Sequence, residues 1–230
     1  MPQQVVQNIF SDRSSLVLRQ ILTEPQRKWT TLDFVSVGVS TGLASEVLTR
    51  AEILGYVERV RKGPESYTKL IRKEKLLKDW QANYNFERNL QTYYYYPKPD
   101  FLKVLVRYLE DAKVPYALTL FSASRLIEPY VKDDRHFIYL GFPQLRFSFL
   151  TQQMETQIGL MKLVKGGNIC FAAPFYKSSV FQGSRKCRGY RVVSDLQLYL
   201  DLMGFPPVGP EEAEHLIPYF KKKGTFLGRP

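Results

Sequence analysis

The residues best placed to do chemistry in this 230-residue chain are basic, and they are concentrated in two segments. Residues 59–78 hold eight Lys and Arg against two Glu, and residues 177–191 hold five basic residues and no acidic one. Together the two segments account formally for the whole net charge of +11. Clustered cations favour a polyanionic partner, nucleic acid above all.

The residue types that perform catalysis or bind metals occur without the spacing that such sites need. Cys170 and Cys187 have 16 residues between them and no neighbouring histidine, so neither a zinc site nor a disulfide framework is indicated. His136 and His215, the only histidines, stand in unrelated contexts and are interpreted as structural or surface residues. We therefore predict a protein with no catalytic residue, no metal and no cofactor, whose cysteines remain reduced.

Three helices are predicted before the first basic segment. Residues 11–22 gather Leu and Ile on one side of a helix. A short second helix starts at Thr30 or the next residue and is broken by Gly38. Ser40 caps a third helix, whose apolar residues recur at helical spacing until Gly55. Two helices joined by a short glycine-containing turn indicate a helix-turn-helix.

A basic hairpin is predicted directly after the third helix. Residues 56–61 alternate apolar and polar side chains, residues 62–66 have turn composition, and residues 67–71 resume a strand pattern. The third helix followed by LGYVERVRKGPESYTKL resembles the winged helix-turn-helix of MarR-like regulators in motif order and element length. The resemblance implies a helix in the major groove of double-stranded DNA, with hairpin cations on phosphates or in the adjacent minor groove.

The predicted DNA contacts lie on the outward face of the third helix and on the basic residues of both segments. Small polar side chains and Glu46, which could accept from a cytosine amino group, are expected at base edges, and the cations at phosphates. The predicted contact residues are Ser40, Thr41, Ser45, Glu46, Thr49, Arg50, Arg59, Arg61, Lys62, Lys69, Lys177, Arg185, Lys186 and Arg188. Glu46 has the alternative of an ordinary exposed acidic residue, and the 177–191 segment that of a solvated loop and strand or of a contact for an acidic partner. A separate alternative is that the three helices and the hairpin serve protein contact or dimerisation.

The fold class is predicted as α+β, with a winged helix-turn-helix in residues 1–82, a linker in residues 83–99 and an α+β domain in residues 100–230. In the last domain the patterns predict a helix over residues 101–111, short helices near residues 122–128, 194–203 and 210–217, and strands near residues 116–120, 137–140, 147–150, 158–164 and 168–172. The four consecutive tyrosines at residues 93–96 could stack single-stranded bases, or pack as a strand or between domains.

Two segments of the C-terminal region carry a family resemblance. VPYALTLFSASRLI, followed much later by RVVSDLQLYLDLMGFPPVGPEEAEHLI, resembles the AbiEi-type antitoxins of type IV toxin-antitoxin systems. The resemblance implies a repressor that binds an operator upstream of its own operon. It also implies a C-terminal domain with a degenerate nucleotidyltransferase fold and a nucleotidyltransferase-like toxin encoded next to it.

The chain departs from active nucleotidyltransferases at the residues that would hold their metal ions. Those enzymes need a glycine-rich turn and an Asp-x-Asp pair, whereas Asp133 and Asp134 are adjacent and would point to opposite sides of a strand. The favoured function is therefore a DNA-binding regulator and not an enzyme. Two alternatives remain, a nucleotidyltransferase targeted by a winged helix and an interaction module that does not bind DNA.

A cytoplasmic location is predicted, with no membrane contact. No stretch approaches the ~20 consecutive apolar residues that a membrane helix requires. The N-terminal sequence MPQQVVQNIFSDR has neither a basic start nor a long apolar run, so it does not have the pattern of a secretory signal.

Overall fold

The protein has a mixed α+β fold with two compact units. The computed structural model describes residues 8–141 and 144–226. The first unit comprises residues 8–84 together with residues 217–226, and the second comprises residues 85–216. Among the described residues, no helix combines the length and the apolar character needed to cross a membrane.

The first unit contains helices and a two-stranded antiparallel sheet, in the predicted order. Its elements are α1 (Asp12–Thr23), a 3-10 helix (Thr31–Val37), α2 (Thr41–Ile53), β1 (Val57–Val60), β2 (Tyr67–Leu70) and α3 (Lys73–Asn83). Its core is made by side chains with almost no exposure, among them Leu18 of α1, Val47 and Leu48 of α2 and Trp80 of α3.

Local capping explains why the chain turns before α2. The carboxylate of Asp33 accepts hydrogen bonds from the backbone N–H (2.6 Å) and the hydroxyl (2.8 Å) of Thr30, which fixes the start of the 3-10 helix. Gly38 ends that helix at φ 79°, a backbone conformation that other residues adopt at a cost. Ser40 Oγ then accepts from the N–H of Leu43 at 3.3 Å, which starts α2.

The second unit is built on a seven-stranded mixed sheet with the strand order β6-β3-β7-β5-β4-β9-β8. Neighbouring strands are antiparallel except for β5 with β7 and β4 with β9, which are parallel. The elements are β3 (Leu90–Tyr95), α4 (Phe101–Asp111), β4 (Tyr116–Leu118), α5 (Leu120–Ile127), β5 (His136–Leu140), α6 (Gln144–Ile158), β6 (Met161–Leu163), β7 (Ile169–Ala173), β8 (Arg185–Cys187), β9 (Tyr190–Val192), α7 (Asp195–Met203) and α8 (Gly209–Lys223). The last residues of α8 belong to the first unit.

Helices cover the two faces of this sheet differently. On one face, Tyr94 of β3 donates its hydroxyl to Glu155 of α6 at 3.0 Å, and Phe171 of β7 packs near Phe101 of α4. On the opposite face, Phe137 of β5 packs against Phe121 of α5. We call the first face the α4/α6 face and the second the α5/α7 face.

A buried carboxylate of α7 organises the α5/α7 face. Asp201 has no exposed surface and accepts hydrogen bonds from the Tyr139 hydroxyl at 3.0 Å and from Gln197 Nε2 at 2.7 Å. The Thr119 hydroxyl, which lies just before α5, donates to the same carboxylate. Since a buried carboxylate needs such partners, Asp201 is a structural residue that joins α7 to β5 and to the start of α5.

The motif that suggested the AbiEi resemblance forms the corner between α7 and α8. Ser194 caps α7 by accepting from the N–H of Gln197 at 3.2 Å. A Cβ at Gly209 would lie 2.2 Å from the carbonyl oxygen of Leu202, so only glycine lets the start of α8 approach the end of α7 this closely. Ala213 of α8 is fully buried. These motif residues therefore serve packing at this corner.

The structure differs from the predicted elements in three places. The predicted linker, residues 83–99, contains β3, and the units divide after Tyr84, with residues 217–226 joining the first unit. Residues 147–150 are part of α6 and are not a strand, because Phe147, Leu150 and Met154 are buried at helical spacing. The hairpin of β8 and β9 was not predicted, since its residues are mainly basic and lack an apolar alternation.

Adjacent glycines between β6 and β7 provide a test of the packing in the second unit. Gly166 and Gly167 have almost the same φ, 83° and 82°, but only at Gly167 would a Cβ clash, lying 2.3 Å from the carbonyl oxygen of Tyr94. Gly166→Ala should lower the free energy of unfolding by about 1–2 kcal/mol, the cost of a side chain in left-handed backbone. Gly167→Ala should cost at least about 1 kcal/mol more, because β3 must also shift. Urea unfolding measures the difference, and equal losses would contradict the close approach.

Candidate nucleic-acid interface

Helix α2 presents a polar face of small side chains opposite its buried face. Ala44, Val47, Leu48 and Ala51 have no exposed surface and fix the orientation of the helix. On the other side Thr41 is exposed, and three residues are partly exposed: Ser45, Glu46 and Arg50. The structure thus brings these four predicted contact residues, with the capping residue Ser40, onto one surface.

Two predicted contact residues, Thr49 and Arg59, bind each other. Arg59 Nη1 of β1 donates to Thr49 Oγ1 at 2.7 Å and to the carbonyl oxygen of Ser45 at 3.3 Å. The Thr49 hydroxyl itself donates to the carbonyl oxygen of Ser45 at 2.8 Å. Burial, and then the nearby charge of Arg61, lower the pKa of the Arg59 guanidinium. Arg59 and Thr49 therefore attach the hairpin to α2, and these contacts engage one nitrogen of the partly exposed Arg59 guanidinium, a predicted DNA contact.

Two other hairpin cations are paired with carboxylates. Arg61 Nη1 lies 2.9 Å from Glu52 Oε1, its Nη2 contacts Oε2, and this hydrogen bonding lowers the pKa of Glu52. Lys69 lies 3.0 Å from Glu58, its direct cross-strand neighbour. Glu52 and Glu58 lie just outside the 59–78 segment, and with them residues 52–78 hold eight basic and four acidic residues, a net +4.

Lys62 occupies the tip of the hairpin. Its backbone N–H donates to Ser66 Oγ at 3.0 Å, which closes the turn, and its side chain is exposed with no ion pair within residues 8–141 and 144–226. Arg50, on the polar face of α2, has a buried Nε without a hydrogen-bond partner in that same part of the chain. Lys62 and Arg50 are therefore the cations of this surface with the least neutralisation.

The second basic segment, residues 177–191, also contains a cation that is paired with a carboxylate. Arg185 Nη2 lies 2.5 Å from the buried carboxylate of Asp195, at the start of α7, and Arg185 Nη1 donates to the carbonyl oxygen of Val193 at 3.2 Å. Its partner lies just beyond the 177–191 segment, so the charge of Arg185, a predicted DNA contact, is partly balanced within the protein. Lys177, by contrast, is exposed.

Three cations of the second segment remain at the surface of the β8–β9 hairpin. Lys186 and Arg191 are direct cross-strand neighbours, and both are exposed. Arg188 and Gly189 form the two-residue turn with φ 49° and 89°, the positive values of a type I′ hairpin, so the Arg188 side chain stands at the tip. Arg191 Nη1 donates to Ser184 Oγ at 3.3 Å.

The candidate catalytic residues are engaged in structural contacts or lie apart. Asp133 contacts Arg135 at 2.6 Å, whereas the Asp134 side chain is 93% exposed. Burial, and then the charge of Arg125, lower the pKa of His136 to about 4. Cys170 and Cys187 are free thiols. In the described part of the chain, no group of three or more His, Cys, Asp or Glu is placed to hold a metal ion.

A comparison with protein families adds a result independent of this geometry. A family model described as "Transcriptional regulator, AbiEi antitoxin, Type IV TA system" matches residues 69–217, more than half of the chain. The chain belongs to this AbiEi antitoxin family. The resemblance seen in the two C-terminal motifs is thereby confirmed, and the family is described as one of transcriptional regulators.

The matched region does not include the polar face of α2. It begins at Lys69 in β2, so α2 and β1 of this AbiEi-family protein precede the matched region. No curated protein and no solved structure matches the chain. The assignment of a role to α2 therefore depends on its own residues.

Stability measurements can distinguish the role of Arg59, which attaches the hairpin to α2, from that of Lys62 at the hairpin tip. Arg59→Ala removes two hydrogen bonds between β1 and α2 and should lower the free energy of unfolding by about 1–3 kcal/mol. Lys62→Ala removes an exposed, unpaired side chain and should change it by less than about 0.5 kcal/mol. Urea unfolding of both variants measures this. A loss at Lys62 as large as that at Arg59 would contradict the assignment.

Proposed function

We propose that this AbiEi-family antitoxin binds a specific double-stranded DNA site upstream of its own operon and represses transcription. The segment from α1 to β2 acts as a winged helix-turn-helix, with α2 as the recognition helix and the β1–β2 hairpin as the wing. The observation that carries the proposal is the small polar face of α2 beside a hairpin with an unpaired cation at its tip. The family description as a transcriptional regulator supports it.

The polar face of α2 suits the major groove. A helix of 13 residues is about 20 Å long and fits the groove width, and small outward side chains allow a close approach to base edges. Thr41 and Ser45 supply hydroxyl groups that can donate or accept, and Glu46 can accept from a cytosine amino group. Thr49 acts indirectly, by holding Arg59 and with it the wing.

Contacts to the phosphate backbone come from the cations that form no ion pair within residues 8–141 and 144–226. Lys62 at the wing tip and Arg50 on α2 take this role most fully. The exposed N-terminus of α2 at Ser40 adds backbone N–H groups that favour an anion. Arg61 and Lys69 contribute less, since Glu52 and Glu58 neutralise part of their charge.

The β8–β9 hairpin provides further phosphate contacts in this proposal. Its exposed cations are Lys186, Arg188 and Arg191, with Lys177 nearby in sequence. Arg185 positions these cations indirectly, because its ion pair with Asp195 holds the hairpin to α7. The second unit is proposed to be a degenerate nucleotidyltransferase fold, and Asp133 and Asp134 do not form the carboxylate pair of an active enzyme.

The proposed partners and location follow from the same function. The operator is the primary partner, and the toxin of the system is a nucleotidyltransferase-like protein encoded next to it. An operon repressor acts where the DNA is, so the proposed location is the cytoplasm.

Specificity and general affinity should separate between α2 and the wing. Ser45→Leu places bulk on the recognition face and should weaken operator binding about tenfold or more, since a mismatched base contact costs about 1–3 kcal/mol. It should leave binding to a shuffled duplex unchanged. Lys62→Gln should weaken both duplexes similarly and reduce the slope of log K against log salt by about 0.9, the value for one phosphate contact. Fluorescence anisotropy with the upstream region of its own gene, at several salt concentrations, measures both.

The matched controls come from other exposed cations. Lys103→Gln, on α4, should leave the duplex affinity and the slope of log K against log salt as in the parent protein. Lys186→Gln should weaken both duplexes and reduce the slope as Lys62→Gln does. If no duplex binds even at low salt, the proposal is wrong. If Ser45→Leu and Lys62→Gln give the same pattern, the division of roles between helix and wing is wrong.

A further inference from the structure

The four consecutive tyrosines are divided between the two faces of the sheet. Tyr94 and Tyr96 are buried, Tyr94 beneath α6 and Tyr96 against Phe101 of α4. Tyr93 and Tyr95 lie on the other side of the strand, where Tyr93 is partly exposed and Tyr95 is 42% exposed. Packing therefore accounts for two of the tyrosines, and it does not account for the exposure of Tyr95.

Tyr93 and Tyr95 belong to an uncovered part of the α5/α7 face. Their cross-strand neighbours on the edge strand β6 are Leu163 and Met161, and these side chains are 38% and 49% exposed. The part of the same face at β5 is covered, since Phe137 packs against Phe121 and Phe205. The open surface of β3 and β6 is thus a flat, largely apolar platform with two aromatic rings.

A cavity of about 130 Å³ adjoins this platform. Tyr93 forms one wall, and the cations Arg135 and Lys165 line it together with Gly166 and Gly167. Lys165 is exposed and has no ion pair among the described residues, whereas Arg135 is held by Asp133. A Cβ at Gly166 would meet no atom within 4 Å, so the cavity is unobstructed at this glycine.

The cavity wall is also free of negative charge from its cysteine. Burial raises the pKa of Cys170 to about 12, so its thiol is neutral near pH 7. The Asp133 carboxylate is paired with the lining cation Arg135, and the charge of Glu87 acts on Tyr93. Aromatic rings next to an unpaired ammonium group in a chain of net charge +11 suit a ligand with planar rings and negative charge.

We propose that this surface, defined by Tyr93, Tyr95, Leu163 and Lys165, binds single-stranded nucleic acid. The tyrosines are two residues apart on one strand, roughly 6.8 Å along it, so each ring can stack one base. Lys165 binds a phosphate at the cavity mouth. The site is separate from the duplex site of α2 and does not depend on it.

A protein partner is the competing occupant of an apolar sheet face. It would be attracted by Met161 and Leu163 as much as by the tyrosines, and it would not require a ring at position 95. A base stacks on phenylalanine as well as on tyrosine but has no such contact with leucine. The comparison of Tyr95→Phe with Tyr95→Leu therefore separates the two occupants.

The test uses the full chain and fluorescein-labelled 12-nucleotide probes of oligo-uridine and oligo-thymidine. Binding is measured by fluorescence anisotropy in an excess of unlabelled duplex DNA, which occupies the duplex site. The parent should bind the probes. Tyr95→Leu should weaken binding about 5- to 100-fold, the loss of one stacked base, while Tyr95→Phe should stay within about twofold of the parent. Preference for one probe tells RNA from single-stranded DNA.

Charge variants complete the test. Lys165→Gln should weaken binding and reduce the salt slope by about 0.7, one phosphate contact of a single strand. Lys103→Gln is the matched control, because α4 covers the opposite face of the sheet. The proposal is overturned if the probes do not bind, if duplex DNA displaces them completely, or if Tyr95→Leu binds as the parent does. If the protein bound the single-stranded probes but no duplex DNA, the proposal for this surface would still hold.

Discussion

A guanidinium group that lies against folded protein needs acceptors for its N–H groups, and this requirement joins elements in both units. Arg59 satisfies it with Thr49 and a carbonyl oxygen of α2, and so holds β1 against that helix. Arg185 donates Nη1 to the carbonyl oxygen of Val193, and its ion pair with Asp195 holds the β8–β9 hairpin to α7. Because an uncompensated buried charge is costly, these contacts fix where each hairpin stands.

The same requirement decides which cations remain for a partner. Arginines near the base of a hairpin are held by the neighbouring helix, whereas the cations at the tips form no ion pair with the carboxylates that the structure describes. Lys62 and Arg188 are such tip residues, one in each unit. The positive charge that a phosphate backbone would meet is therefore smaller than the sequence count, and it is concentrated at the two turns.

The sequence predicted well the elements that have strong local signals. The capping residues Ser40 and Ser194, and Gly38 in its left-handed conformation, mark the ends of helices that the structure contains. Local signals were not sufficient where tertiary contacts decide the outcome. A strand at the tyrosines was among the predicted alternatives, but its inner position in the sheet was not predicted, because β6 and β7 pair with it from distant positions in the chain.

The candidate interface was predictable in outline but not in its charges. The polar face of α2 follows from helical spacing alone, and its members Thr41 and Ser45 do lie together. The partners of Arg61 and Arg185 could not be found in the same way. Glu52 lies on a different element and Asp195 begins the next helix, so each pair depends on how the elements pack.

The most direct test of this account is the effect of Glu52→Gln on duplex binding. The substitution removes the carboxylate that holds Arg61 beside the polar face of α2, and leaves a side chain of the same shape. If α2 and the hairpin face DNA, the released guanidinium should tighten binding to operator and shuffled duplexes alike and steepen the salt slope by up to about 0.9. Unchanged or weaker binding, in a variant that unfolds at the same urea concentration as the parent, would contradict the assignment of this surface to DNA.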